Sequence, residues 1–384
     1  MNCSLVEEAK LLVHRTQDIE CGYSKISSLL LQWSEPDSSL MPDFLVNLSN
    51  SSMKALSGDR FRPREVSLFE FRVEDYLDSE PALVLNTEEA EFQPIRVEPN
   101  TNQNPIVAID VSSIKTGETE EGLICAVRGA VVWKDNGSYY YVRCGPLAFH
   151  MTAQANEQLS RELGFQRSAL PPSWPAMFPQ ILSRIRNVLE RWIQRIVCSA
   201  FKNATVLFDG SLTAGTPDNP VRYLQAILDL AKERGNTVLA FSKATKLCIS
   251  GRNITDYVRE FQSPCLLDVD SIVSRQFSPN PIRLLGRVYV AKLELAGFTF
   301  RLDIDRQILQ ENGYHAVGQL VGSDIVDHGY PETLRLAHIL STFTANEIIG
   351  IQRFISRTYG IRITPKISLR KSLFGPFGTS REVA

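Results

Sequence analysis

Pro105-Ile106-Val107-Ala108-Ile109-Asp110 is the stretch on which the fold turns. A short unbroken apolar run with a turn-forming residue before it reads as a strand buried on both faces, and this one closes on an acid. A second run of the same kind, Thr205-Val206-Leu207-Phe208, closes on Asp209-Gly210-Ser211. Either aspartate taken alone reads first as a turn residue or a helix cap. Two of them closing buried strands can instead place their carboxylates side by side.

The pattern around these runs supplies the rest of a sheet. Gly122 to Trp133 and Ser138 to Arg143 read as strands joined by Asp135-Asn136-Gly137, a hairpin turn signal. With the first run they predict a three-stranded meander. After a connection with Pro171, Pro172 and Pro175, residues 176 to 201 carry Phe178, Ile181, Ile185, Leu189, Trp192 and Ile196 at helical spacing. Glu190 flanks that stripe. A helix from Pro220 to Arg234 and a strand from Thr237 to Phe241, followed by Lys243, complete the order β-β-β-α-β-α-β. This is the ribonuclease H-like topology, a mixed α/β sheet flanked by helices, and in it the strands ending at Asp110 and Asp209 are neighbours. A second hairpin, Arg287 to Leu295 and Phe298 to Asp303, reads as part of an insertion over about 246–320, and a last helical region begins after Gly329.

Upstream, residues 4 to 33 show helical periodicity, 34 to 63 read as a loop or linker from their Ser, Asn, Asp and Pro content, and 64 to 98 hold short candidate strands at Ser67 to Val73 and Leu83 to Leu85. The expected organisation is an N-terminal helical and acidic extension over 1–100 and a catalytic-type domain over 101–384.

Three carboxylates brought together repel unless cations lie among them. An all-oxygen set favours Mg²⁺ or Mn²⁺, and two such ions can drive an in-line displacement at phosphorus. Asp110, Glu190 and Asp209 are therefore candidate metal ligands, with Glu157, Glu162 and Asp218 as rivals for the third place. A second cluster runs Gly329-Tyr330-Pro331-Glu332-Thr333-Leu334-Arg335-Leu336-Ala337-His338, where Pro331 and Glu332 suit a helix start. His338 falls on a partly apolar face, so a satisfied core histidine competes with a functional one.

In this order the motifs resemble those of the NurA nucleases: Asp110 on a first strand, Glu190 on a helix, Asp209-Gly210-Ser211-Leu212, Lys243-Ala244-Thr245, and Gly329-Tyr330-Pro331 followed by His338. The resemblance spans about 105 to 375. It implies a Mn²⁺-preferring (or Mg²⁺-dependent) DNA nuclease with 5′ to 3′ exonuclease and single-strand endonuclease activity. It further implies a homodimer that works with the hexameric HerA translocase in DNA end resection. In that likeness Asp110, Glu190 and Asp209 hold metal, Tyr330 and His338 orient the phosphate or move a proton, and Lys243 neutralises phosphate charge. The chain departs from the family at Val111, where glycine usually follows the aspartate.

Composition is that of an ordinary globular chain, with 43% hydrophobic and 22% charged residues over 384 positions. The net charge of -2 hides an asymmetry: ten acidic residues against Arg72 and Arg96 between Glu65 and Glu98, and seven basic residues with no acidic one between Ile348 and Arg381. The second region, with Arg353, Arg357, Arg362, Lys366, Arg370 and Lys371, is a candidate phosphate track, and Phe374 or Phe377 could stack on bases. A merely solvated tail is the competing reading. Seven scattered cysteines without a Cys-x-x-Cys pair indicate neither a disulfide framework nor a zinc site. With no basic leader and no long apolar run, the expectation is a cytoplasmic protein. Two other functions share this core: an actin-like or sugar-kinase-type ATPase using Asp110-Val111-Ser112-Ser113 and Asp209-Gly210-Ser211 as phosphate loops, and an inactive scaffold for the translocase.

Overall fold

The computed structural model describes residues 93–365, with breaks at 102, 120, 163–173, 217, 244, 246, 250 and 277–281, together with 14–15, 42–57, 65–68 and 83–85. The elements that frame the site are, in chain order, helix α1 (Pro42–Lys54), strands β1 (Ile106–Glu118), β2 (Gly122–Asp135) and β3 (Ser138–Thr152), and helix α2 (Trp174–Ala200). There follow β4 (Thr205–Asp209), α3 (Val221–Glu233), β5 (Thr237–Ser242), β6 (Cys265–Asp268), β7 (Gly286–Lys292) and β8 (Phe300–Asp305). Helices α4 (Gln310–Ser323), α5 (Glu332–Ser341) and α6 (Ala345–Tyr359) come last.

One sheet organises the chain, in the order β3-β2-β1-β4-β5-β8-β7-β6. The meander is antiparallel throughout. Asn136 and Gly137 take φ of 47° and 77° between the paired Asp135 and Ser138, the two-residue turn whose twist matches a hairpin. β4 lies parallel to β1, and β5 parallel to β4. The first five strands thus adopt the ribonuclease H-like arrangement expected from the sequence. The inserted hairpin β7–β8 continues the same sheet: β8 runs antiparallel to β5, and β6 adds beyond β7.

Alternation along the strands divides the core into two layers. Val107, Ile109, Val111, Val206 and Phe208 face α2 and α3, where Ile181, Ile185, Leu189 and Trp192 are buried. Ile106, Ala108, Leu207, Leu239 and Phe241 face α4 and α5, against Val317, Leu320, Leu334 and Ala337. Each such side chain contributes roughly 1.5–3 kcal/mol by leaving water, so both helical layers are held by burial on the sheet.

Two expectations are corrected, and a third falls almost wholly outside the described residues. The first strand does not end at Asp110: β1 runs on to Glu118, because Val111 is buried in the core and Ser112 and Ser113 pair with Arg128 and Val127 of β2. An aspartate inside a continuing ladder ends nothing. The loop read over 34–63 contains α1, which Pro42 and Asp43 open and which Leu45 and Leu48 bury. Ser49 Oγ bonds the Ala148 carbonyl of β3 at 2.5 Å. Burial there outweighs the weak helix propensity of serine and asparagine. The helix expected over 4–33 lies outside the described residues except at His14–Arg15, which pair as a strand with Tyr140–Tyr141.

The candidate strands upstream fall at Glu65–Leu68 and Leu83–Leu85. The first pairs in parallel with a strand Arg362–Pro365, so the basic segment, which starts on α6 with Arg353 and Arg357, continues into the sheet. Among the described residues no helix is long and apolar enough to cross a membrane.

Candidate metal centre

The parallel register of β1 and β4 pairs Ile109 with Phe208, which sets the next residues, Asp110 and Asp209, beside each other. Both share the strand parity of Ala108 and Leu207, so both carboxylates point into the layer of α4 and α5. The last turn of α5 meets them there. His338 Nδ1 lies 3.0 Å from Asp110 Oδ2 and 3.8 Å from Asp209 Oδ2. Asp110, Asp209 and His338 each offer a ligand atom within 4.8 Å of the others.

Their surroundings make the two aspartates unequal. Ser341 Oγ donates to Asp110 Oδ2 at 2.5 Å, and Ser112 Oγ stands 3.0 Å from Ser341 Oγ. Burial pushes the Asp110 carboxyl up, but the hydrogen bonds from His338 and Ser341 outweigh it and leave it below its ordinary value. Asp209 is pushed up to about 6 by burial and by the charge of Asp110, against the pull of Lys243, whose Nζ donates to Asp209 Oδ2 at 2.7 Å. One carboxylate keeps the negative charge while its neighbour holds a proton into mildly acidic solution.

After Asp209 the backbone turns sharply. Gly210 takes φ of 107°, a region side-chain-bearing residues avoid. Its N–H donates to the Phe241 carbonyl at 2.7 Å. The fully buried Asp303, paired with Arg301, accepts the Leu212 N–H at 2.9 Å and pins the same loop from the side of β8.

Tyr330 stands at the edge of this group. Its ring packs on Phe300 and Phe241 with centroids 5.2 and 6.2 Å away, and Lys243 Nζ lies 5.6 Å from its centre. The hydroxyl is buried without a hydrogen-bond partner. Burial, followed by the charges of Asp209 and Asp110, raises its pKa well above the usual phenol value. A buried donor without a partner costs roughly 1–3 kcal/mol, which an oxyanion bound in the site would recover.

Glu190 arrives from the other face of the sheet, because α2 packs against Ile109 and Val111. Its Oε1 accepts from Gln194 Nε2 at 2.9 Å, and its carboxylate is not in the converging group. Burial raises its pKa, Arg191 and Arg186 oppose this, and Asp110 and Asp209 add to it, so it lies within their electrostatic reach. Among the rivals, Glu157 is exposed, Asp218 pairs with Arg184 at 2.7 Å, and the Glu162 side chain lies outside the described residues. Arg353 and Arg357 are exposed on α6, while Lys366, Arg370 and Lys371 lie outside the described residues.

Two residues that the sequence reading passed over hold this corner together. Ser341 follows His338 at helical i, i+3 spacing, a signal open to inspection once His338 was singled out. Arg128, 1% exposed, donates from Nε to the Ser341 carbonyl at 3.0 Å, and from both terminal nitrogens to Glu347 at 2.9 and 3.1 Å. It also bonds the Thr342 carbonyl and lies over the Phe343 ring at 4.4 Å. It thereby satisfies the loose carbonyls at the end of α5. Glu347 in turn closes a capping box with Thr344 at the start of α6.

A divalent cation suits the donor set. Two carboxylates stand side by side, and a cation that replaced the proton His338 Nδ1 shares with Asp110 would meet the Nδ1 lone pair of the Nε2-protonated tautomer. Mixed oxygen and imidazole ligands fit Mn²⁺ as well as Mg²⁺ or better.

No family model matches the chain, and no curated protein matches it significantly. Among solved structures, the NurA nuclease from Sulfolobus solfataricus is similar at 16% identity and a TM-score of 0.46, over 70% of this chain and 88% of its own. An endonuclease V from Bacillus subtilis is similar at 12% identity and 0.34, over 69% and 88%. The endonuclease V of Ciona intestinalis, solved with a 24mer DNA containing an inosine followed by a ribo-adenosine, is similar at 13% and 0.33, over 67% and 92%. All three are nucleases. At such values the chemistry of the present site rests on this chain's own residues.

Proposed function

We propose that this chain is a divalent-metal-dependent DNA nuclease whose centre is Asp110, Asp209 and His338. The observation that carries the reading is the convergence of these three side chains within 4.8 Å beside a lysine and an unpartnered tyrosine hydroxyl. The chemistry a pair of Mn²⁺ or Mg²⁺ ions supplies at such a set is activation of a water and stabilisation of the leaving oxygen in an in-line displacement. Asp110 and Asp209 would hold the ions, with Glu190 the additional carboxylate within electrostatic range. His338, about half exposed, holds and passes a proton at the edge of the centre. Lys243 meets the charge of the phosphodiester, and the Tyr330 hydroxyl donates to one of its oxygens.

The finer reading follows the motif resemblance: 5′ to 3′ exonuclease and single-strand endonuclease activity, a homodimer, and partnership with a HerA-type translocase in end resection. Arg353 and Arg357 on α6, with Lys366, Arg370 and Lys371 beyond it, would track DNA phosphates. End-labelled single- and double-stranded DNA incubated with Mn²⁺, Mg²⁺ or EDTA tests the core of this reading. Cleavage with metal and none in EDTA is expected. ATP hydrolysis without any DNA cleavage would move the chain to the ATPase class.

A pH dependence follows from Asp209. Because its carboxyl holds a proton up to about 6, metal must displace that proton in acid. Mn²⁺ affinity measured by calorimetry should rise by about tenfold per pH unit below 6 and level off above it. A flat response between pH 5 and 7 would contradict the assignment of Asp209 as a ligand.

A further inference from the structure

Two of the most exposed large apolar side chains among the described residues sit together at one hairpin tip: Leu295 is 75% exposed and Phe298 69%. The tip joins β7 to β8. Register places it, since β8 pairs Arg301 with Ser242 at the end of β5, and the tip therefore projects at the edge where Lys243 reaches Asp209.

This tip is held down firmly. The Phe298 N–H donates to the His328 carbonyl at 2.8 Å, and the Gly329 N–H donates to Glu294 Oε2 at 2.9 Å. The backbones at Gly297 and Gly329 touch so closely that a Cβ on Gly297 would lie 2.6 Å from the Gly329 nitrogen. Neither glycine admits a side chain. His328, with φ of 51°, turns its ring toward Phe298, centroids 6.2 Å apart. Two residues further on, Tyr330 enters the metal centre. The Phe298 and His328 rings thus stand on a backbone held by these hydrogen bonds, and such a surface loses little freedom when something binds.

Resting on the nuclease reading above, we propose that Phe298, with His328 beside it, is a stacking platform for one unpaired nucleobase of the DNA strand entering the site. Charge decides which part of the strand sits there. Asp327 and Glu294 flank the tip, so a phosphate is disfavoured, whereas the neutral face of a base is accepted whatever its identity. The phosphates pass instead toward Lys243. A protein partner on the same patch is the other outcome to be tested.

The test uses the full chain and fluorescein-labelled single-stranded oligodeoxynucleotides, intact or with one tetrahydrofuran abasic residue at successive positions. Anisotropy gives the dissociation constant, and cleavage in Mn²⁺ gives KM. Phe298→Ala should weaken binding of the intact strand by about 5- to 140-fold, and Phe298→Trp should restore it. One abasic position should weaken the wild type by a similar factor and have no further effect in Phe298→Ala. An alanine variant that binds as well as the wild type overturns the platform, as does a wild type indifferent to every abasic position. If the wild type cleaves no DNA in Mn²⁺, the nuclease reading fails, and anisotropy still decides whether the base is stacked. Melting checks that each variant is folded, as expected for a change at so exposed a position.

Discussion

Asp209→Ala is expected to reduce Mn²⁺-dependent DNA cleavage to below a hundredth of wild type, with far-ultraviolet circular dichroism unchanged. Loss of a single preorganised electrostatic group at a reacting centre costs on the order of 10²–10³ in rate, and this substitution removes a proposed ligand and the partner of Lys243 together. The fold should survive for a reason visible in the titration. The folded value for Asp209 is about 6 against an ordinary 3.8, so the folded chain binds this proton more tightly than the unfolded one. The stability tied to that proton is complete below pH about 4 and is lost as pH rises through about 6. Asp209→Asn, which cannot ionise, should therefore melt higher than the wild type above pH 6, measured in EDTA, and lose that advantage near pH 4. Full cleavage by purified Asp209→Ala would remove Asp209 from the chemistry, and unchanged DNA processing by this variant in an assembled complex with the translocase would favour the scaffold reading. A melting advantage that grows toward acid would reverse the sign argued for the site.

Arg128→Met should lower stability by about 3–5 kcal/mol, the usual cost of removing one member of a buried ion pair, read as a shift of the urea midpoint. The substitution leaves the Ser341 and Thr342 carbonyls without their donor, and leaves Glu347 with the Thr344 N–H and Arg143 at 3.9 Å. The damage should reach the metal centre, because Ser341 and His338 share the helical turn that Arg128 closes and both bond Asp110. A midpoint shift equivalent to less than about 1 kcal/mol would place Arg128 among surface pairs, against its near-complete enclosure.

Much of this was readable from local pattern. Two apolar runs each carrying an aspartate, in an element order that makes their strands neighbours, placed Asp110 beside Asp209, because burial of the sheet faces fixes the register. Lys243 after a strand, Tyr330 before a helix and His338 on that helix's partly apolar face were open to bland readings, and only the motif resemblance singled them out together. What escaped depends on contacts far apart in the chain. The side of the sheet on which α2 lies is set by packing, and it decides that Glu190 stays outside the tight group. Arg128 looks like any strand arginine until α5 and α6 close over it. The helix α1 is hidden by serine and asparagine, whose weak propensity is overruled by two buried leucines.

The unbroken passage of β1 through Asp110 gives the centre an anvil. Hydrogen-bonded to β2 well beyond the aspartate, that strand has no hinge nearby, while Asp209 is the last residue of β4 and His338 rides on the final turn of α5. Any tightening or loosening of the grip on a cation must then come from the jaws on those two elements, closing on a carboxylate that stays where it is.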